Sequence, residues 1–149
     1  MGARLGCLHT DPKQVKPGVK MLTRLIESGF LASQSVEGNT TWTLAERRAL
    51  VIDTDTSVSI AIVLAISTEI SADWLTQATL ALAASDHALD CGLQLRGDLW
   101  LLWRYYDEIQ DDEALSQGIV MQLAIARFLE KSLLKPVDSN RASFIGRTV

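Results

Sequence analysis

The chain has 149 residues, 48% of them apolar and 21% charged, with a net charge of −4. That balance excludes a disordered or fibrous protein, and the length suits one ordinary domain rather than two with separate large cores. The charge is uneven: residues 1–20 and 131–149 each carry +3, which leaves −10 on the stretch 21–130. A body this acidic is repelled by phosphate backbones, which argues against a nucleic-acid groove.

Cysteine appears only as Cys7 and Cys91, without a C-x-x-C pair, so neither a disulfide framework nor a structural zinc site is expected. The first residues lack the apolar stretch of a signal peptide. The longest apolar-rich run, Val58 to Ile66, is interrupted by Ser59 and is too short to span a bilayer. These features predict a soluble intracellular protein.

Residues 1–18 hold Pro12, Pro17 and Gly18 and no sustained period, and read as a flexible extension. From Val19, the positions Leu22, Leu25, Ile26 and Phe30 follow helical spacing. Gly29 or the stretch Ser33–Gly38 ends this helix. Trp42 and Leu44 then share one face of a short strand. Leu50, Val51 and Ile52 make a second run, closed by the turn-prone Asp53-Thr54-Asp55. From Ser57 the alternation is strict: Val58, Ile60, Ile62, Leu64 and Ile66 face one way, and small or weakly apolar residues face the other. Ser71 caps a second helix that runs to about Ser85, with Asp73 in its first turn. Leu89, Cys91, Leu93 and Leu95 alternate with polar residues. Arg96-Gly97-Asp98 then turns the chain into Leu99–Tyr106, which predicts a β-hairpin. Both faces of this last strand are apolar, so both should be covered. A long helix follows from Asp111 or Asp112 to about Leu134, acidic at its start, basic near its end and stopped by Pro136. The order α-β-β-β-α-β-β-α predicts an α+β fold, an antiparallel-dominated sheet with helices packed on it. The domain is residues 19–135, and 136–149 form a mobile basic tail.

Candidate chemistry is sparse. His9 and His87 lie far apart, and Cys7 and His9 lack a third ligand, so no metal site is expected. Nucleophile-elbow, zinc-protease and phosphate-loop motifs are absent. Cys91 reads as a small core residue. The acidic group Asp107, Glu108, Asp111, Asp112, Glu113 lacks calcium-loop spacing and reads as a solvated helix start. Arg96-Gly97-Asp98 is a turn. No catalytic residue, cofactor or metal is expected. The apolar excess is more informative, because helix 71–85, strand 99–106 and helix 111–134 each present apolar residues on more than one side. A single sheet in one chain has one interior to offer them, which points to an intermolecular surface. The plainer alternative is that tails and helices cover everything within one chain.

The element order, the acidic body and the hairpin Leu93-Gln-Leu-Arg-Gly-Asp-Leu-Trp-Leu-Leu-Trp-Arg-Tyr running into Leu115–Leu133 resemble the class I chaperones of bacterial type III secretion, the Tir-chaperone (CesT-like) family. The likeness covers about residues 20–134 and is one of pattern and composition. It implies a non-enzymatic, cytoplasmic bacterial dimer, homo- or heteromeric, that holds the N-terminal segment of a secreted protein in extended form. Neither nucleic acid nor membrane insertion enters that role. By position, the resemblance puts the client grooves at Leu25, Phe30, Trp42, Leu44, Leu50, Ile60 and Ile62. It puts the dimer contact at Trp74, Ala78, Leu82, Leu93, Leu95 and Trp100. For any one of these, plain core is at least an equal reading. A competing class is a roadblock-like α+β dimerisation module that joins larger complexes. A ligand-binding domain would need convergent polar groups in a pocket, and the inward positions offer few.

Overall fold

The structure, a computed structural model, describes residues 20–67 and 70–131. The extension 1–18, Cys7, His9, the stop at Pro136 and the basic tail lie outside the described residues. The elements are α1 (Met21–Glu27), β1 (Leu31–Val36), β2 (Asn39–Leu44), β3 (Arg47–Asp53), β4 (Ser57–Val63), α2 (Ala72–Ala84), a 3-10 turn (Asp86–Ala88), β5 (Cys91–Arg96), β6 (Leu99–Asp107) and α3 (Asp112–Lys131). The fold is α+β, as the sequence predicts. It has one strand more than the periodicity marks, because β1 occupies the stretch read as the end of the first helix. Ala32-Ser33-Gln34-Ser35 carries no apolar alternation, and an edge strand needs none: its backbone pairs with β2 from Leu31↔Leu44 to Val36↔Asn39. Glu37 and Gly38, both at positive φ (51° and 82°), close that hairpin in the twist two-residue turns favour.

One six-stranded antiparallel sheet has the order β1-β2-β3-β4-β6-β5, so β1 and β5 are its edges. The register fixes which side chains share a face. Val51↔Ile60↔Arg104↔Cys91 and Ala49↔Ile62↔Leu102↔Leu93 lie on one side, with Leu31, Trp42, Leu44, Val58, Trp100 and Tyr106. All three helices pack there: Met21 and Leu25 of α1, Trp74 and Ala78 of α2, and Leu115, Ile119, Ala126 and Leu129 of α3 join those strand residues in one core. The reverse face carries Leu50, Ile52, Ser59, Ala61, Val63, Leu101, Trp103 and Tyr105. Among the described residues no helix covers it. Ala61 and Leu101 are buried there, yet Ile52 is 51% and Tyr105 44% exposed. The expectation that both faces of β6 are covered therefore holds for the helix face and not along the whole reverse face.

Polar side chains inside the core act as ties between elements. Gln122 of α3 is fully buried and donates to the carbonyls of Ile60 (2.8 Å) and Leu102 (3.1 Å), while Tyr106 donates its hydroxyl to Gln122 Oε1 (2.7 Å). Both amide ends are thus satisfied, as a buried polar group requires. The close seat of α3 depends on Gly118, where an added Cβ would stand 3.0 Å from the Tyr106 ring and 3.2 Å from Arg104 Nε. Arg24 of α1 is also buried and donates to the carbonyls of Glu108 (3.1 Å) and Gln110 (2.6 Å) and to Asp112 (3.0 Å), fixing the β6–α3 connection. At the far end of α3, Glu130 accepts from Arg47 and from the Ala65 amide, each at 2.6 Å. The Ser71 cap stands where the sequence places it, its Oγ accepting from Trp74 N, and at the start of α3 Asp111 Oδ1 accepts from Ala114 N.

Candidate functional site

The polar groups just described are engaged in holding the fold. Burial pushes the Cys91 thiol up, and the nearby Arg104 only partly opposes that, so the group stays a protonated thiol near neutral pH and is a poor nucleophile. Burial likewise raises the Tyr106 hydroxyl far above the usual phenol range. Among the described residues no group of three or more His, Cys, Asp or Glu is placed to hold a metal ion. What the surface offers instead is apolar relief beside sheet edges that are unpaired among the described residues.

The residues expected to bind a client divide by depth. Leu25, Leu44, Ile60 and Ile62 are wholly buried in this chain's own core, so they stabilise the fold and are not free to line a groove. Phe30, Trp42 and Leu50 are half-buried. Phe30 precedes the edge strand β1, Trp42 packs against the rim of the core from β2, and Leu50 lies on the reverse face. The residues expected at a dimer contact divide in the same way. Trp74, Ala78 and Trp100 are interior: the indoles of Trp74 and Trp100 meet edge to face at 5.5 Å, and Trp74 Nε1 donates to the Leu129 carbonyl. Leu82 and Leu93 are half-buried, and Leu95 is 48% exposed. Alternation and helical spacing identify the face that will be buried, but they cannot say whether the cover comes from the same chain.

Two apolar grooves open beside the second set. One, of about 310 Å3, runs between α2 and α3 and is lined by Ala81, Leu82, Ser85, Ile125 and Phe128 among others. The other, of about 370 Å3, lies between α2 and the edge strand β5 and is lined by Leu75, Thr79, Leu82, Leu89, Cys91 and Leu93 among others. Leu82 and Ala88 line both grooves, so the two adjoin. Leu89, 75% exposed, and Phe128, 43% exposed, stand over them. Leu75, Leu89 and Phe128 were absent from the residues the sequence singles out for binding. Phe128 shares a second apolar stripe of α3 with Met121 and Ile125, which is the signal that marks it. Leu89 belongs to the alternation that predicts the strand, but the strand begins only at Cys91 and Leu89 stays exposed in the preceding turn.

The backbone beside the second groove has a definite polarity. Tyr105 N donates to the Asp90 carbonyl, and the hairpin closes at Arg96↔Leu99 across a two-residue turn. In an antiparallel ladder the bonded pairs alternate. Asp90, Gly92, Gln94 and Arg96 therefore direct their backbone groups toward β6, while Cys91, Leu93 and Leu95 direct theirs outward from the sheet. Among the described residues no strand pairs with that outer side, nor with the outer side of β1.

No protein-family model, no curated protein and no solved structure matches this chain. Among the described residues no helix is long and apolar enough to cross a membrane.

Proposed function

We propose that this chain is a dimeric chaperone that holds the N-terminal region of a secreted protein in extended form, as the class I type III secretion chaperones it resembles do. The observation that carries this reading is an α+β sheet with both edges unpaired among the described residues, each flanked by half-exposed apolar side chains. An extended client gains backbone hydrogen bonds from such an edge and seats alternate side chains in the adjoining apolar relief. The outer side of β1 is the proposed client edge, with Phe30 and Trp42 as anchors and Leu50 on the adjoining reverse face. The work is done in the bacterial cytoplasm and uses neither cofactor nor nucleotide, because holding a segment extended needs only binding energy.

The test is capture of partners from native cytosol, followed by limited proteolysis of the complex. The expected result is a protected N-terminal stretch of the partner, some tens of residues long, that remains bound after the rest is digested. That stretch, made as a peptide, should then bind by itself. Protection of a whole folded domain would replace this reading with the scaffold module, and a chain that binds nothing would overturn both.

A further inference from the structure

We propose that residues 132–149 of this same chain pass round the end of the sheet and seat Phe144 and Ile145 in a trough on its reverse face. The trough follows from the register. On that face β4 presents Ser59 and Ala61, flanked by Leu50 and Ile52 of β3 on one side and by Trp103 and Tyr105 of β6 on the other. Two walls of large side chains thus stand about 9–10 Å apart across a floor of small ones. Trp103 is held in its wall by donating Nε1 to Gln94 Oε1 at 2.7 Å. The upper parts of both walls are open, since Ile52 and Tyr105 are each about half exposed.

Place, reach and charge select the occupant. Glu130 is bound to Arg47, which begins β3, and to the amide of Ala65, two residues beyond the end of β4. The chain therefore leaves Lys131 at the end of the sheet where Arg48 and Val63 stand on the reverse face. From Ser132 to Phe144 there are 13 residues, a reach of about 43–47 Å when extended. The path to Ala61 needs two layer spacings of about 10 Å and about 7 Å along β4, which that reach exceeds. Past Pro136 the charges run Asp138, Arg141, Arg147. Along the trough they run from Arg48 at the near end to Asp107 at the far end, with Asp53 and Asp55 in the adjoining turn. Opposite signs therefore meet in order. Residues 1–19, the other segment outside the described residues, hold no aromatic side chain to fill the trough. Leu50, a proposed client contact, forms part of one wall, so a client that uses it would displace the segment.

The test is disulfide trapping on the full chain carrying Cys7→Ser and Cys91→Ser. Ser59→Cys with Ile145→Cys should close an intramolecular bridge about tenfold or more faster than Leu89→Cys with Ile145→Cys, because docking raises the local concentration of the seated residue. The second pair samples the grooves beside α2 instead. Equal rates overturn the inference, and so does a bridge between two chains, which would put a second copy on this face. Hydroxyl-radical footprinting without introduced cysteines gives an independent reading. Oxidation of Trp103 and Tyr105 should rise severalfold in Phe144→Asp/Ile145→Asp, while Phe128 keeps its rate and circular dichroism shows the fold intact. Unchanged oxidation of Trp103 and Tyr105 overturns the inference. Neither measurement involves a client, so failure of the chaperone reading and failure of this inference are told apart.

Discussion

Gln122 holds α3 to the two central strands through contacts that no apolar side chain can reproduce. Gln122→Leu keeps the volume but leaves the Tyr106 hydroxyl buried without a partner, which should cost about 1–3 kcal/mol. Adding Tyr106→Phe removes the orphaned donor, so the double variant is expected to recover part of that loss. Urea denaturation of the two variants checks this, and a double variant less stable than the single would contradict it. Glu130 yields a pH dependence. Burial pushes its carboxyl up, but the hydrogen bonds from Arg47 and the Ala65 amide, with the charges of Arg47 and Lys131, outweigh burial and hold it below the ordinary range. A carboxyl lowered in the folded state contributes stability above its unfolded pKa of about 4.3, and that contribution is lost as pH falls through the folded value. The wild type should therefore lose more stability than Glu130→Gln between neutral pH and about pH 3, measured as the shift in urea midpoint. Neither role is visible in sequence, where Gln122 sits in the middle of an apolar helix pattern and Glu130 stands next to Lys131.

The elements show where local signals suffice. Ser57–Val63 alternates strictly and forms the central strand; the hairpin β5–β6 and α3 follow their patterns closely. The β2–β3 connection does not follow from any turn motif. It is a two-residue turn, Leu44↔Arg47, in which Ala45 (φ 47°) and Glu46 (φ 69°) both take the left-handed conformation that side chains with a Cβ disfavour. The Ala45 amide donates to the Phe30 carbonyl at 2.8 Å, so the turn is held by the end of the α1–β1 connection. Replacing Ala45-Glu46 with Asn-Gly should raise stability by roughly 1 kcal/mol or more, since that pair adopts the same turn with little strain. Thermal unfolding reads the outcome, and an unchanged or lower Tm would show that the strain is absent. β1 is the element the sequence conceals. Its side chains are small and polar, and its place is set by pairing with β2, an interaction between segments that no local period encodes.

For the whole molecule the main question is what lies over the uncovered apolar relief. If Trp42 anchors a client beside β1, Trp42→Ser should weaken binding of the protected client peptide about tenfold or more, because aromatic anchors dominate such contacts. Calorimetric titration measures this. Equal binding by Trp42→Ser would move the client away from this edge. The sequence by itself determined the α+β class, the hairpin, the Ser71 cap and most of the faces that turn away from water, since each follows from short-range periodicity and turn chemistry. Only the tertiary structure decided that Leu25, Leu44, Ile60, Ile62, Trp74, Ala78 and Trp100 are buried within one chain, while Leu89, Leu95 and Phe128 stay exposed. The physical reason is that hydrophobic burial is non-directional. A pattern records that a face avoids water, and the strand order and helix placement determine which segment supplies the cover.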